Sequence, residues 1–261
     1  MVTGGSGYLG RAVAAHAGAA GWRVIAAGHT RGGRPRLDVR DAGQVRAAVR
    51  SLRPAAVIHT AYVQHGATAR EVIADGSAHV AAAAAEAGAR LVHVSTDVVF
   101  AGDAGRPYRE DDPPDPITDY GRAKAEAEAR VAAADPTAAI VRTSLLYGGP
   151  DGPPGAAERA AADPDAVFYT DELRCPGQVE DVAAALIELC TLDAAGPLHV
   201  AGPDAVSRWE LACLVAGREV AGAPAPPGRP LDCRLDTSRA AALLATRLRG
   251  VRAVYAGRGP R

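Results

Sequence analysis

Lysine is almost missing from this chain. Of the 29 basic residues among its 261, 28 are arginine and one is lysine, Lys124. Methionine occurs once, and phenylalanine and tryptophan twice each, so a core has to be built mainly from Ala, Val, Leu and Ile. The four cysteines, Cys175, Cys190, Cys213 and Cys233, have no CxxC spacing, and the seven histidines form no HExxH pattern. No metal site is expected, and the thiols read as packed groups in a reducing compartment. No run reaches the roughly 18 apolar residues of a membrane span. Met1-Val2-Thr3-Gly4-Gly5 lacks the basic-then-apolar pattern of a signal peptide, so a cytoplasmic protein without a membrane partner is expected. A formal charge of −1 leaves no basic excess for coating nucleic acid.

What is there, 48% hydrophobic and 23% charged residues, suffices for a folded core. Short β-branched runs alternate with longer Ala-rich stretches. Strands are predicted at Val24–Ala27, Ala55–Thr60, Leu91–Ser95 and Ala139–Arg142, and helices at Leu9–Ala20, Ala42–Leu52, Arg70–Ala87 and Tyr120–Ala134. The alternation predicts an α/β fold, a doubly wound parallel sheet of Rossmann type with helices on both faces. The first strand is a stub, with only Met1, Val2 and Thr3 ahead of Gly4. Gly148 to Asp165, rich in Gly, Pro and Ala, reads as punctuation. Beyond it, Val179–Leu192, Arg208–Ala216 and Thr237–Ala245 read as helices and Leu198–Ala201 as a strand.

Gly4, Gly7 and Gly10 form GxxGxxG between the stub and the first helix, which starts near Tyr8. Glycines there admit a pyrophosphate close to the backbone, and the helix start offers free amides and a positive dipole end. After the second strand, an acidic residue would select NAD, whereas arginine accommodates the extra phosphate of NADP. The chain runs Gly28-His29-Thr30-Arg31, with Arg34 beyond. No carboxylate stands there, since Asp38 comes after the next short strand, and NADPH is favoured over NADH through Arg31. Residues 1–147 are thus expected to be an NADP-binding domain to which parts of 175–205 return. Residues 148–261 are expected to be mainly a small, discontinuous C-terminal substrate-binding lobe.

Tyr120 and Lys124 form YxxxK, and positions i and i+4 share a helix face. Thr96 ends a predicted strand, at the sheet edge where open α/β folds bind ligands. A hydroxyl, a phenol and an ammonium beside a nicotinamide make a carbonyl-reduction site. A unit charge about 4 Å from the phenolate is worth roughly 4 kcal/mol at an effective dielectric near 20. That is enough to bring a tyrosine from about 10 toward about 7. The lone lysine is then a position that a planar guanidinium cannot fill, the alternative being a chance survivor on an exposed helix face.

Val2 to Gly10, Leu37-Asp38-Val39, Ser95-Thr96-Asp97-Val98-Val99-Phe100, Pro107 to Asp112 and Tyr120-Gly121-Arg122-Ala123-Lys124 together resemble the extended short-chain dehydrogenase/reductases. Within them the pattern is most similar to dTDP-4-dehydrorhamnose reductases and related deoxysugar 4-ketoreductases. The resemblance implies Thr96, Tyr120 and Lys124 as the catalytic triad. It implies Gly4, Gly7, Tyr8, Leu9 and Gly10 on the cofactor pyrophosphate, Asp38 and Val39 by the adenine, and Thr60, Ala61 and Tyr62 near the ribose and nicotinamide. Asp97 and Arg174 join Thr96 and Tyr120 toward the substrate. Three positions depart from the pattern. Val98 and Leu145 stand where aromatics are usual, and Ile73 where many members carry asparagine.

The resulting expectation is an NADPH-dependent reductase of a nucleotide-linked 4-keto-6-deoxysugar, with homodimers frequent in the family. A reductase of another small carbonyl compound, a redox-neutral epimerase or dehydratase, and a non-catalytic cofactor-binding regulatory subunit are the alternatives.

Overall fold

The computed structural model describes residues 1–29 and 35–256. The first part of the chain runs β1 (Val2–Thr3), α1 (Tyr8–Ala19), β2 (Ala26–Ala27), α2 (Ala42–Leu52), β3 (Ala56–His59), α3 (Gly76–Glu86), β4 (Arg90–Thr96), α4 (Asp119–Ala134) and β5 (Ala139–Thr143). The rest runs β6 (Leu146–Tyr147), α5 (Ala156–Ala161), β7 (Phe168–Tyr169), β8 (Leu173–Arg174), β9 (Gly177–Gln178), α6 (Val179–Glu188), β10 (Gly196–His199), β11 (Val206–Ser207), α7 (Arg208–Ala216), β12 (Gly222–Ala223), α8 (Ser238–Leu243) and α9 (Val251–Val254).

Six strands form one sheet in the order β10-β5-β4-β3-β1-β2, every pair parallel. Side-chain alternation divides its faces. Val2, Ile58, Val92, Val94 and Val141 pack with Leu9 and Val13 of α1 and Val182 and Leu186 of α6. Val57, Leu91 and Ile140 point the other way, onto Val45 and Val49 of α2, Val80 of α3 and Val131 of α4. The order in which strands are added reverses at β1, with β2 on one side of it and β3 on the other, so the crevice at the carboxyl ends of β1 and β3 is the topological switch point where such sheets bind ligands. Smaller two-stranded pairings, β11-β8, β12-β7 and β6-β9, are formed by strands that all follow β5 in sequence.

The stub of a first strand suffices because β1 is inserted between two partners, Val2 pairing with both Ala26 and Ile58. Several boundaries move. The stretch expected as a helix from Arg70 opens as a π-turn over Glu71–Asp75 before α3 begins at Gly76. Gly76 is where Val39 presses closest, a Cβ there lying 2.6 Å from Cγ2 of Val39. The strand expected at Leu198–Ala201 starts two residues earlier, through Pro197; β10 is an edge strand, the position in a sheet that tolerates proline. The segment Gly148 to Asp165 is not only a connector, because α5 forms inside it. Among the described residues no helix is long and apolar enough to cross a membrane.

Candidate active site

Gly4 turns the chain out of β1 with φ +69°, and a Cβ at that position would lie 2.6 Å from the Ala61 amide nitrogen that follows β3. A Cβ on Gly10 would meet the Gly4 carbonyl oxygen at 2.3 Å. Only glycine fits such approaches, which hold the loop flat against the start of α1. No side chain caps that helix start at Gly7, leaving its first amides for an anion. The loop separates two cavities that share Gly7, Thr60 and Tyr62 in their walls. The smaller, about 350 Å³, is lined by Gly4, Ala61, Asp38 and Val39 among others; the larger, about 510 Å³, by Tyr8, Leu9, Gly10, Thr96, Asp97, Tyr120, Lys124 and Arg174. A dinucleotide laid across the switch point would span the two, and the residues present fit that group.

Arg31 and Arg34 fall outside the described residues. Asp38 is nearer the end of β2 than its place in the sequence implies. Its Oδ2 is 3.6 Å from Nδ1 of His29, and Gly28 pairs with Arg36 as a parallel bridge that sets Asp38 beside the end of β2. The expectation that no carboxylate stands at that strand end is therefore corrected. The carboxylate is already engaged: Arg40 Nη2 donates to it at 2.6 Å, and that bond holds Asp38 well below the usual carboxylate range. Arg40 lines the smaller cavity too. Reading the sequence missed it, although it directly follows Leu37-Asp38-Val39.

In the larger cavity the end of β4 delivers Thr96 and the turn after it Asp97, and α4 delivers Tyr120 and Lys124. Thr118 caps α4 by accepting from the Gly121 amide at 3.0 Å. Gly121 is required where α4 crosses the chain after β4, since a Cβ would be 2.2 Å from the Val98 carbonyl oxygen. Lys124 is 4% exposed, which excludes the chance survivor on a solvated face. Its Nζ donates to the Val94 carbonyl oxygen at 2.8 Å and lies 5.8 Å from the centre of the Tyr62 ring. Burial pushes the ammonium down to about 8, with Glu128 acting the other way. The Tyr62 and Tyr120 rings are 6.2 Å apart.

The expected lowering of Tyr120 by the lysine charge is not what the structure holds. Burial raises the phenol above its ordinary value, the neighbouring Tyr62 and Asp97 raise it further, and only the Thr96 hydroxyl opposes them. Lysine at i+4 shares the face but sends its ammonium to the β4 backbone instead of to the phenol. Asp97, 4% exposed, accepts from Thr96 Oγ1 at 3.2 Å and from Ser144 Oγ, and Arg174 Nε is 3.6 Å away. Burial nevertheless raises its carboxyl.

Residues that spacing could not reveal complete the wall. Glu172, Arg208 and Arg229 join Arg174 around the larger cavity, drawn from three segments distant in sequence. Tyr8 donates its hydroxyl to the Pro153 carbonyl oxygen at 2.8 Å, tying the glycine loop to the Gly148–Pro154 segment.

With this geometry in place, comparison with known proteins is informative. Residues 1–254 match the model of the RmlD substrate binding domain. The chain belongs to that family. This places it among the extended short-chain dehydrogenase/reductases. It is 41% identical to dTDP-4-dehydrorhamnose reductase of Streptomyces griseus over 182 residues, 66% of this chain but 58% of that protein. The chain thus spans less than two thirds of that reductase. It is 30% identical to methionine adenosyltransferase 2 subunit beta of Bos taurus over 280 aligned positions, 91% of this chain and 81% of that protein. Among solved structures of the family's fold, dTDP-4-dehydrorhamnose reductase from Bacillus anthracis str. Ames in complex with NADP superimposes with a TM-score of 0.84 at 25% identity. It covers 97% of this chain and 95% of that one.

Proposed function

We propose that the protein is an NADPH-dependent ketoreductase acting on a nucleotide-linked 4-keto-6-deoxysugar. The observation that carries this reading is the convergence of Thr96, Tyr120 and Lys124 on one cavity whose wall shares Gly7, Thr60 and Tyr62 with the second. The Streptomyces relative and the Bacillus structure with NADP support the substrate class and the cofactor. The bound nicotinamide supplies the hydride. Thr96 and Tyr120 hold the ketone oxygen, and the Tyr120 phenol, kept protonated by its burial, gives that oxygen its proton. Lys124 anchors the cofactor ribose beside them. Asp97 and Arg174 position the sugar end. Val98 and Leu145, in the wall where aromatics are usual, leave an aliphatic surface whose best-fitting sugar is a matter for a substrate panel.

The test is absorbance at 340 nm with NADPH and a panel of thymidine diphosphate 4-keto-6-deoxysugars. Substrate-dependent loss, one cofactor per alcohol formed, is expected. Tyr120→Phe should slow it by about 10²- to 10⁴-fold, the usual contribution of a positioned acid. An unchanged rate in that variant removes Tyr120 from the role. Conversion of substrate without cofactor consumption would mean redox-neutral epimerase or dehydratase chemistry instead. A second reading, a cofactor-binding subunit of another enzyme, rests on the methionine adenosyltransferase relatives, whose match extends over more of this chain. NADPH binding without turnover of any keto-sugar or other small carbonyl compound would favour it.

A further inference from the structure

The segment between β6 and α5 is shaped by a carboxylate that none of the chemistry above uses. Glu158 is 8% exposed. Its Oε2 accepts from the Gly148 amide at 2.9 Å and the Gly155 amide at 2.5 Å, and its Oε1 from the Gly149 amide at 2.9 Å and the Tyr255 hydroxyl at 2.6 Å. Each oxygen serves two uncharged donors. Both ends of the segment are thereby tied to one side chain.

The segment doubles back between those ties, since a Cβ on Gly148 would lie 2.1 Å from the Pro153 carbonyl oxygen. Its outer limb meets the start of α1. The Tyr8 hydroxyl donates to the Pro153 carbonyl oxygen at 2.8 Å, and a Cβ on Gly155 would be 3.3 Å from Cε1 of the Tyr8 ring. Burial, and next the Glu158 charge, keep the proton on that phenol. Tyr8 opens α1, whose uncapped first amides suit the cofactor phosphates. The wall of the larger cavity takes Gly7 to Gly10 from that side and Ala156, Ala157 and Arg159 from the end of the segment. The remaining anchor, Tyr255, follows α9, is 4% exposed and packs with Tyr147 and Val251.

We propose that residues 148–155 are a retaining strap over the cofactor phosphates, that Glu158 is the positioning residue that holds it shut, and that Tyr8 is its latch, so that strap opening limits cofactor release. This rests on the reading of the two cavities as a dinucleotide site and is independent of the substrate. An amide cannot replace the carboxylate. Wherever Glu158→Gln puts its NH₂ group, at least one backbone N–H that needs an acceptor faces a donor. The strap then loses an inner anchor, and Tyr8 loses a fixed partner.

The experiment follows NADPH fluorescence in a stopped flow after the loaded protein is mixed with excess NADP⁺, with no turnover needed. Tyr8→Phe, which keeps the ring, should speed NADPH release about tenfold, or about 1.4 kcal/mol, the size of one hydrogen bond. Glu158→Gln should do the same, and Tyr255→Phe, which removes one donor of four, should give about threefold. Because latch and anchor act through one strap, Tyr8→Phe with Glu158→Gln should release NADPH about tenfold faster than wild type, not a hundredfold. Adenosine 2′-monophosphate, which has no pyrophosphate, should bind all variants within twofold of wild type, a result that general damage to the fold would not give. If Glu158→Gln does not fold, the two tyrosine variants decide alone. Unchanged release in Tyr8→Phe and Tyr255→Phe, multiplying effects in the double variant, or equal weakening of adenosine 2′-monophosphate overturns the strap and leaves the reductase reading standing. Strap-controlled release in a protein that reduces no keto-sugar would sink the reductase reading and leave the strap in place.

Discussion

Two buried glutamates in this protein are used in opposite ways. Glu128 on α4 meets one arginine: Arg142 of β5 brackets both its oxygens at 2.8–3.1 Å, and Ser95 donates to it as well. Arg142 is 2% exposed, and its guanidinium lies 5.0 Å over the Phe100 ring. Charges balance, donors are satisfied, and the pair faces the interior between sheet and helix. Glu172 meets three arginines and borders a cavity. A balanced, closed pair locks two elements together. An unbalanced one stores a demand for an anion. The same residue types thus close off the interior in one place and leave guanidiniums at a cavity wall in the other, and what separates them is stoichiometry and exposure.

That contrast can be broken by mutation, and Glu128 should give the largest effect. Glu128→Gln leaves Arg142 buried without a counter-charge, and breaking a buried pair from one side costs about 3–5 kcal/mol. Arg229→Gln should change stability by no more than about 0.5 kcal/mol, as expected of a half-exposed partner. Urea unfolding of both variants checks the pair of values. Equal losses would show that the two glutamates do the same work.

Lys124 lies on the same stripe of α4, four residues before Glu128, and the next largest effect concerns it. Lys124→Arg keeps the charge but must place a planar fork where a single ammonium donates to the Val94 carbonyl oxygen. Steady-state kinetics should show kcat/KM down about 100-fold, or roughly 2.7 kcal/mol of transition-state stabilisation. A near-normal rate would mean that the lone lysine is an accident of composition after all.

The sheet side of this comparison was far more legible in the sequence than the arginine side. The glycines of the loop, YxxxK and the strand ending in Thr96 carry their geometry in local spacing, and α2 runs over Ala42–Leu52 as its periodicity predicts. Helix periodicity likewise put Tyr120 and Lys124 on one face. It does not say where the lysine's hydrogen bond goes, and with that bond on the Val94 carbonyl the Tyr120 phenol is raised instead of lowered. The Glu172 cluster joins residues 172–174, 208 and 229, brought together by the β11-β8 pairing and the Leu173–Asp232 bridge. No spacing rule spans such separations, and in a chain with 28 arginines any three of them carry no signal. The place of Asp38 was hidden for the related reason that the Gly28–Arg36 bridge shortens distance in space but not in sequence.

Unlike Glu128, which meets Arg142, Lys124 has no counter-charge in contact among the described residues, and its charge should cost stability. The folded protein holds it at about 8 against an ordinary 10.5, while the facing His59 and His93 stay neutral, His59 held at about 3 by burial and the lysine charge. The lysine binds its proton more weakly folded than unfolded, so stability should rise with pH from about 8 to 10.5. The shift corresponds to about 3 kcal/mol at pH 7, less about 1 for the bond to Val94 that a variant gives up. Lys124→Met should therefore be roughly 2 kcal/mol more stable than wild type at neutral pH, the gap closing as the native lysine loses its proton.

The smallest expected effect is on the pH profile. Tyr120 keeps its proton well above neutrality, so an alkaline fall in kcat/KM cannot be its own. The fall should begin near pH 8, where Lys124 loses its charge, at up to tenfold per pH unit. In Lys124→Arg, whose guanidinium stays protonated, the limb should vanish although the rate is low. A limb persisting near 8 in that variant would assign it to another group and leave Lys124 with a purely positional part in the site.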